Sequence, residues 1–511
     1  MKAVRATDPE SQTSEASPPL LGDYTPLAED AWMGSVQASE VLEPLHADAP
    51  RWQVVVPRLP RLRLAGMLMR ELSIAQASVI LMASFFLSAL MAAVRQVLFN
   101  AHFGTSPEAS AYYAAFRLPD MLFNLIAGGA LSSAMIPVWL SATREEGEHA
   151  GWQLTNLVLT TLLAVFALLV LIGEIFAPAF VTTLLAPGFD ARTSQLTVTL
   201  TRIMLVQPLI LTVASVATAV LNSQNQFLLT ALSVASHNIA PIAGIAVAWL
   251  YPELGIYGPT FGVVGGAVLQ VLILLPGLLG RGYHYWPTWN LADRRLRQVI
   301  RLLIPNGLCV GVSYAGFILD TAFASKAPEG AALPAIMNAG LLLGLPTVLL
   351  GQAVGQSVFP RLAAHATALE WVQMRRTLAQ TLAAVIVLAL PASLALIFLG
   401  RPTIHVLFEH GRFDAAAGTL TYKLLAVYAV ALPAYVSTEV ITRALIALRD
   451  TRTPLLINCA QLAGRAAIIM LLLDKVGVVA IPVALAVTAP LETVVLGIVL
   501  LFNVQYRISG S

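Results

Sequence analysis

Apolar residues run along most of this chain in stretches of about 20 or more, the length a helix needs to cross a hydrocarbon layer. Short polar or Gly/Pro-containing intervals separate them. Reading the runs between breaks predicts twelve spans, at roughly 73–101, 111–141, 154–177, 196–222, 227–250, 260–279, 297–323, 333–364, 376–399, 416–447, 454–473 and 479–502. The expected fold is therefore an all-α polytopic membrane protein.

Composition narrows the reading. Apolar residues make up 57% of the 511 and charged residues only 11%, against about a quarter in an ordinary soluble protein, and mean hydropathy is +0.76. That leaves too little charge to cover a globule of this size in water. The two cysteines, Cys309 and Cys459, sit inside apolar runs and make no disulfide framework. A net charge of +2 without a basic, aromatic-laced stripe leaves no nucleic-acid footprint.

Charge placement sets the orientation. Residues 1–50 are acidic and rich in Ser and Pro, and residues 51–70 turn basic through Arg51, Arg58, Arg61, Arg63 and Arg70. We expect residues 1–70 to be a disordered cytoplasmic tail whose basic part faces anionic lipid. With the N-terminus inside, twelve arginines (Arg144, Arg281, Arg294, Arg295, Arg297, Arg301, Arg361, Arg375, Arg376, Arg449, Arg452 and Arg507) lie on cytoplasmic loops and tail. Five cations (Arg192, Lys326, Arg401, Arg412 and Lys475) lie outside, which follows the positive-inside bias. Both termini are then cytoplasmic.

The two halves echo each other. GFDARTSQLTVTL begins at Gly188 and RFDAAAGTLTYKL at Arg412. Phe189 and Phe413, Asp190 and Asp414, Leu196 and Leu420, Thr197 and Thr421, and Leu200 and Leu424 agree at one constant offset, each stretch preceding the fourth span of its half. A duplication with six spans per half predicts two parallel six-helix lobes related by a pseudo-two-fold axis along the membrane normal, an architecture of alternating-access transporters. The expected division is 71–280 for the first lobe, 281–296 for a cytoplasmic linker, 297–502 for the second lobe and 503–511 for a C-terminal tail.

No HExxH, GxSxG or P-loop appears, so we expect neither an enzyme, a metal nor a cofactor. The glycine runs Gly262–Gly266 and Gly340–Gly344 read as small residues for close helix packing. Ionisable residues inside spans cost about 2.5–3.5 kcal/mol each at a helix centre, so they face a bundle interior or water. They are Arg95, Arg117, Asp120, Glu174, Arg202, Asp320, Glu439, Arg443, Arg465 and Glu492. Glu439 and Arg443 are placed to pair at i,i+4. Glu174 and Asp320 are near span ends, within reach of water. Arg95 carries a fork suited to pyrophosphate, with snorkelling to headgroups as its alternative. His237 and Asn238 beside Pro241 are candidates for lining a cavity or for helix–helix hydrogen bonds.

A chain of motifs then resembles a known family. VRQVLFNAHFG (94–104), AFRLPD (115–120), GGALSSAMIPV (128–138), APGFD (186–190), AVLNSQNQF (219–227) and HNIAP (237–241) are followed by LGIYGPTFGVVGGAVLQ (254–270), LDTAFASKAPEG (319–330), LFEHGRFD (407–414) and ALRDTRTP (447–454). Together, from about 73 to 502, these resemble the MurJ/MviN lipid II flippases of the multidrug/oligosaccharidyl-lipid/polysaccharide exporter superfamily. The resemblance implies a two-lobed twelve-helix core that moves undecaprenyl-pyrophosphate-linked peptidoglycan precursor from inner to outer leaflet of the cytoplasmic membrane, for cell-wall synthesis. Arg95 matches a family arginine. Ala89, Ser110, Phe123 with Asn124, Gly128 and Leu341 stand where the family pattern is charged. The candidate cavity residues are Arg95, Arg117, Asp120, Asn124, Arg202, Asn238 and Asp320. The expected partners are a lipid-linked glycan, the bilayer and a coupling ion, with the protein a monomer. Two alternatives stay open: an exporter of another lipid-linked glycan, and a non-transporting membrane scaffold of cell-wall synthesis.

Overall fold

The computed structural model describes residues 74–127, 130–329 and 332–509, and every regular element among them is a helix. The expected tail and its arginines lie outside the described residues. The first half contains α1 (Ile74–Phe103), α2 (Pro107–Ala127), α3 (Ala130–Glu146), α4 (Glu148–Ala179, prolonged by a π-helical turn Phe180–Leu185), α5 (Ala191–Ser223), α6 (Phe227–Ser236), α7 (Ile239–Leu250) and α8 (Tyr257–Leu279). The second contains α9 (Arg294–Lys326), α10 (Ala332–Pro346), which runs through a π segment (Thr347–Gln352) into α11 (Ala353–Thr367), then α12 (Trp371–Phe408), α13 (Ala415–Ala447), α14 (Arg452–Val476) and α15 (Ala480–Ser509).

Nine segments among the described residues are long and apolar enough to cross a membrane, one of which, Arg452–Val504, takes in both α14 and most of α15. The two remaining predicted spans, α2–α3 and α9, are those that carry Arg117, Asp120 and Asp320 together with the arginines opening α9. The 227–250 span has the expected bounds and is interrupted at His237–Asn238, because Pro241 has no N–H to give the His237 carbonyl. Two boundaries differ from expectation. The linker ends earlier, at Asp293, whose carboxylate accepts from the amides of Arg295 (2.8 Å) and Leu296 (3.1 Å) and so starts α9. Residues 503–509 are helix rather than tail, since no proline follows Pro490.

The duplicated motif has a local reason. Asp190 caps α5 by accepting from the amides of Arg192 (3.1 Å) and Thr193 (3.4 Å), and Asp414 caps α13 by accepting from Ala417 (2.8 Å). Hydrogen bonds from Thr193 hold the Asp190 carboxyl below the usual carboxylate range. Each cap launches a 33-residue helix through the middle of its half.

Glycine packing follows expectation on one helix and not on another. A Cβ on Gly262 or Gly266 of α8 would collide with the α7 backbone at Ala240, Pro241 and His237, so these two helices touch main chain to main chain. Gly340 and Gly344 of α10 instead face open space.

The core has three parts. One cluster takes side chains from both halves, among them Phe99, Phe103, Tyr112, Met204, Phe323, Ile336, Phe408, Phe413 and Ile481, and lies where α1, α9 and α12 end and α2, α10 and α13 begin. That region is called here the Phe413 end. A second cluster, with Trp139, Leu154, Leu211 and Leu221, belongs to the first half, joined by Leu296, Val299 and Leu303 of α9. A third, with Trp371, Met374, Leu432 and Leu500, is confined to the second half. The halves thus share one core at the Phe413 end, whereas at the opposite, Trp371 end only α9 crosses to the first half, through the second cluster and an Arg295–Glu146 ion pair at 3.0 Å, and α11, α12, α13 and α15 pack by themselves.

Candidate functional site

The face between the halves is polar, and α2 supplies its first charges. Arg117, Asp120 and Asn124 stand three and four residues apart, on one side of the helix. Arg117 reaches across to the second half. Its Nε donates to Thr321 Oγ1 at 3.0 Å, an Nη donates to Met337 Sδ at 2.9 Å, and the guanidinium lies 5.4 Å from the centre of the Phe317 ring. Asn124 donates to the Asp120 carboxylate and carbonyl, both at 2.9 Å, and Tyr314 of α9 hydrogen-bonds the same carboxylate.

One residue from Thr321, Asp320 continues the series. It was expected near water at a span end; instead it is 7% exposed and both its carboxylate oxygens accept from Arg465 of α14, itself 7% exposed. Asp320 lies near an end of its span in the sequence, but α14 covers that end, and hydrocarbon-level burial of a carboxylate requires the cation. Asp120, Arg117, Asp320 and Arg465 thereby alternate in sign through α2, α9 and α14. Arg465 was visible in the sequence as an arginine inside a span, but nothing in spacing paired it with a residue 145 positions away. Tyr314, Thr321, Met337 and Tyr428, which lie against this series, carried no sequence signal.

Arg95 differs from the rest. It is half-buried on α1, and it makes no hydrogen bond or ion pair among the described residues. Its charge is close enough to act on Tyr112, Tyr113, Asp120 and His237. A guanidinium held beside the polar face with its donors uncommitted can bind an anion bidentately.

Two candidates lie elsewhere. Arg202 of α5 is exposed and stays with Glu174 of α4, 3.7 Å from its carboxylate and 3.2 Å from its carbonyl oxygen, so it is not gathered with the other charges. Asn238 is buried and donates to the carbonyl (3.2 Å) and hydroxyl (3.4 Å) of Ser88, tying α7 to α1. Glu439 and Arg443 do pair along α13, at 3.8 Å.

Towards the Phe413 end the polar face closes in neutral amides. Gln96 donates to Tyr113 Oη (2.5 Å) and Asn338 Oδ1 (2.8 Å), and Asn100 donates to the same Asn338 oxygen (2.9 Å), knotting α1, α2 and α10 together. Beyond them the Arg412 amide donates to the Ala101 carbonyl at 2.9 Å. At the Trp371 end, by contrast, a groove of about 540 Å³ is lined by Arg294, Arg297, Gln298, Arg301 and Leu302 of α9.

The family model described as lipid II flippase MurJ matches residues 99–508. The lipid II flippase MurJ of Burkholderia cenocepacia is 31% identical over 377 residues, 72% of each chain. The probable lipid II flippase MurJ of Rhizobium tropici is 28% identical over 411 residues, 80% of this chain and 77% of that one. Among solved structures, a lipid II flippase MurJ in an inward closed conformation superposes with a TM-score of 0.70 at 23% identity, covering 84% of this chain and 87% of that chain. An inward-facing multidrug resistance MATE family transporter of the MOP superfamily also gives 0.70, at 12% identity over 83% of this chain and 96% of that one.

Proposed function

The chain belongs to the MurJ family of lipid II flippases, and from that premise we propose that it carries lipid II from the inner to the outer leaflet of the cytoplasmic membrane by alternating access. The observation that carries the mechanism is the asymmetry of the two ends. The halves merge into one core at the Phe413 end, whereas at the Trp371 end only α9 crosses to the first half and the other helices of the second half pack by themselves, so the Trp371 end is the side on which a headgroup can enter. The loop-charge bias supports a reading in which the Trp371 end, the N-terminus and the C-terminus face the cytoplasm.

The headgroup then meets cations in sequence. The arginines of the α9 groove stand at the cytoplasmic mouth, and Arg95 stands deeper with its donors free. Arg117 can serve only by exchanging its bonds to Thr321 and Met337 for phosphate oxygens. The prenyl chain stays in lipid, and no bond of the substrate is made or broken. In this reading the protein is a monomer, and an ion gradient, the membrane potential or withdrawal of the product supplies the energy.

Complementation of a bacterium depleted of its own lipid II flippase tests the substrate, and growth is the expected result. Arg95→Ala should abolish flipping in proteoliposomes at matched protein density, and Arg95→Lys should restore it only in part, because a point charge replaces a fork. Wild-type flipping by both variants would remove Arg95 from the site. Another lipid-linked glycan is the second reading, favoured by the uncharged residues Ala89, Ser110, Phe123 and Leu341 at positions charged in the family pattern. Failure of complementation together with retained Arg95-dependent flipping of a different diphosphate lipid would select it.

A further inference from the structure

One charge between the helices has no opposite partner. Glu492 lies about 18 Å along α15 from the start of that helix, deep within a hydrocarbon layer about 30 Å thick. It is 8% exposed. Asn458 of α14 is placed to donate to its carboxylate, but Glu492 takes part in no ion pair among the described residues. The arginines nearby are committed elsewhere: Arg465 to Asp320, Arg443 to Glu439. A second carboxylate, Glu439 of α13, is close enough for its charge to act on Glu492.

A buried carboxylate beside another carboxylate is costly in hydrocarbon, and the cost is removed by a proton or by a cation. The surroundings favour the proton, since the neighbouring hydroxyls are already bonded within the bundle and no cluster of charged ligands stands among the described residues. Thr488 Oγ1 accepts from Gln461 (2.9 Å) and donates to the Ala484 carbonyl (2.8 Å). Thr438 and Thr493 are bonded to each other (2.8 Å), and Thr493 also bonds the carbonyls of Ala434 and Ala489. No group of three or more His, Cys, Asp or Glu among the described residues could hold a metal.

We propose that Glu492 is the proton-uptake site that couples an ion gradient to transport. The proposal rests on the flippase reading for its link to transport, but not for the site itself. The proton reaches Glu492 by way of Glu439, whose side chain is 31% exposed. The groups facing the site are Tyr435, Glu439 and Arg443 from α13, and Asn458, Gln461 and Arg465 from α14, with Asp320 of α9 behind Arg465. A mechanical link is present too. The π segment after α10 packs through Gly351 against Val436 and Glu439, while α10 itself carries Met337 and Asn338, the partners of Arg117, Gln96 and Asn100 across the halves. A change of charge at Glu439 and Glu492 therefore acts on the helix that fastens the closed end.

Two measurements on the full-length protein test this. In lipid nanodiscs without substrate, infrared difference spectra between acid and alkaline buffer should contain a protonated-carboxyl band that Glu492→Gln removes. Asn458→Ala, which takes away a donor to the charged form, should move that band's midpoint up by about one pH unit. In proteoliposomes, an imposed gradient of about one pH unit, a tenfold concentration ratio, should accelerate flipping by wild type and leave Glu492→Gln unaffected. Spectra that are the same in wild type and Glu492→Gln, or flipping driven by a sodium gradient and indifferent to pH, overturn the proposal. Should the band behave as expected while wild type flips no lipid, the flippase reading fails and the proton site stands.

Discussion

The two ends of the bundle are built from the same helices and packed by different rules. At the Phe413 end, aromatic side chains of both halves merge into one core, and the backbones come into direct contact: Gly104 lies against the Arg412 carbonyl and Gly411 against that of Ala101. At the Trp371 end α9 alone leans on the first half, through Leu296, Val299 and Leu303 and the Arg295–Glu146 pair, and shows further arginines to a groove, while the remaining helices of the second half close on themselves. The difference teaches which end is assembled and which is parted. A closed end made of neutral amides, ring edges and glycine contacts can be taken apart without stranding a buried charge. The face between the halves holds its charges either buried in a pair, as Asp320 with Arg465, or half-buried without a partner among the described residues, as Arg95.

The largest effect is expected at the buried ion pair of the polar face. Asp320→Asn leaves Arg465 buried without its partner and should cost about 3–5 kcal/mol in unfolding measured in detergent, with substantial recovery in an Asp320→Asn/Arg465→Met double variant. No recovery in the double variant would show that the pair does more than neutralise itself.

Two glycines then separate the ends. Gly411 (φ +61°) and Gly282 (φ +74°) both occupy the left-handed region, so alanine at either costs about 1–2 kcal/mol of backbone strain. At Gly411 a Cβ would also strike the Ala101 carbonyl, whereas at Gly282 nothing lies within 4 Å. Gly411→Ala should therefore abolish cross-linking between cysteines placed at 101 and 412, and Gly282→Ala should leave it intact. Equal cross-linking in both variants would end the idea that the Phe413 end depends on main-chain contact.

A smaller loss, about 1–3 kcal/mol, is expected for Asn338→Ala, which deprives Gln96 and Asn100 of a shared buried acceptor. Lipid accessibility of a probe at Phe103, rather than unfolding alone, reads whether that knot holds the end shut. The smallest effect belongs to Arg202→Ala, under about 1 kcal/mol, since its pair with Glu174 is exposed. A loss of flipping there at full stability would return Arg202 to the site.

The sequence by itself determined the class of the molecule. Apolar runs of spanning length, too little charge for a soluble surface and the repeated Phe-Asp caps at Asp190 and Asp414 are local properties, and local physics reads them directly: twenty residues of hydrocarbon need a helix, and an aspartate before a helix satisfies its first amides. Arg95 and Arg117 were legible for the same reason, because an arginine inside a span is expensive wherever it sits. What only the tertiary structure decided is which of these charges meet. Asp320 found Arg465, Arg202 stayed with Glu174 on an exposed surface, and Glu492 was left without a cation. Periodicity gives each helix its faces but not its neighbours. The pairing of a buried charge is set by which helix covers it, and that depends on the packing of the whole bundle.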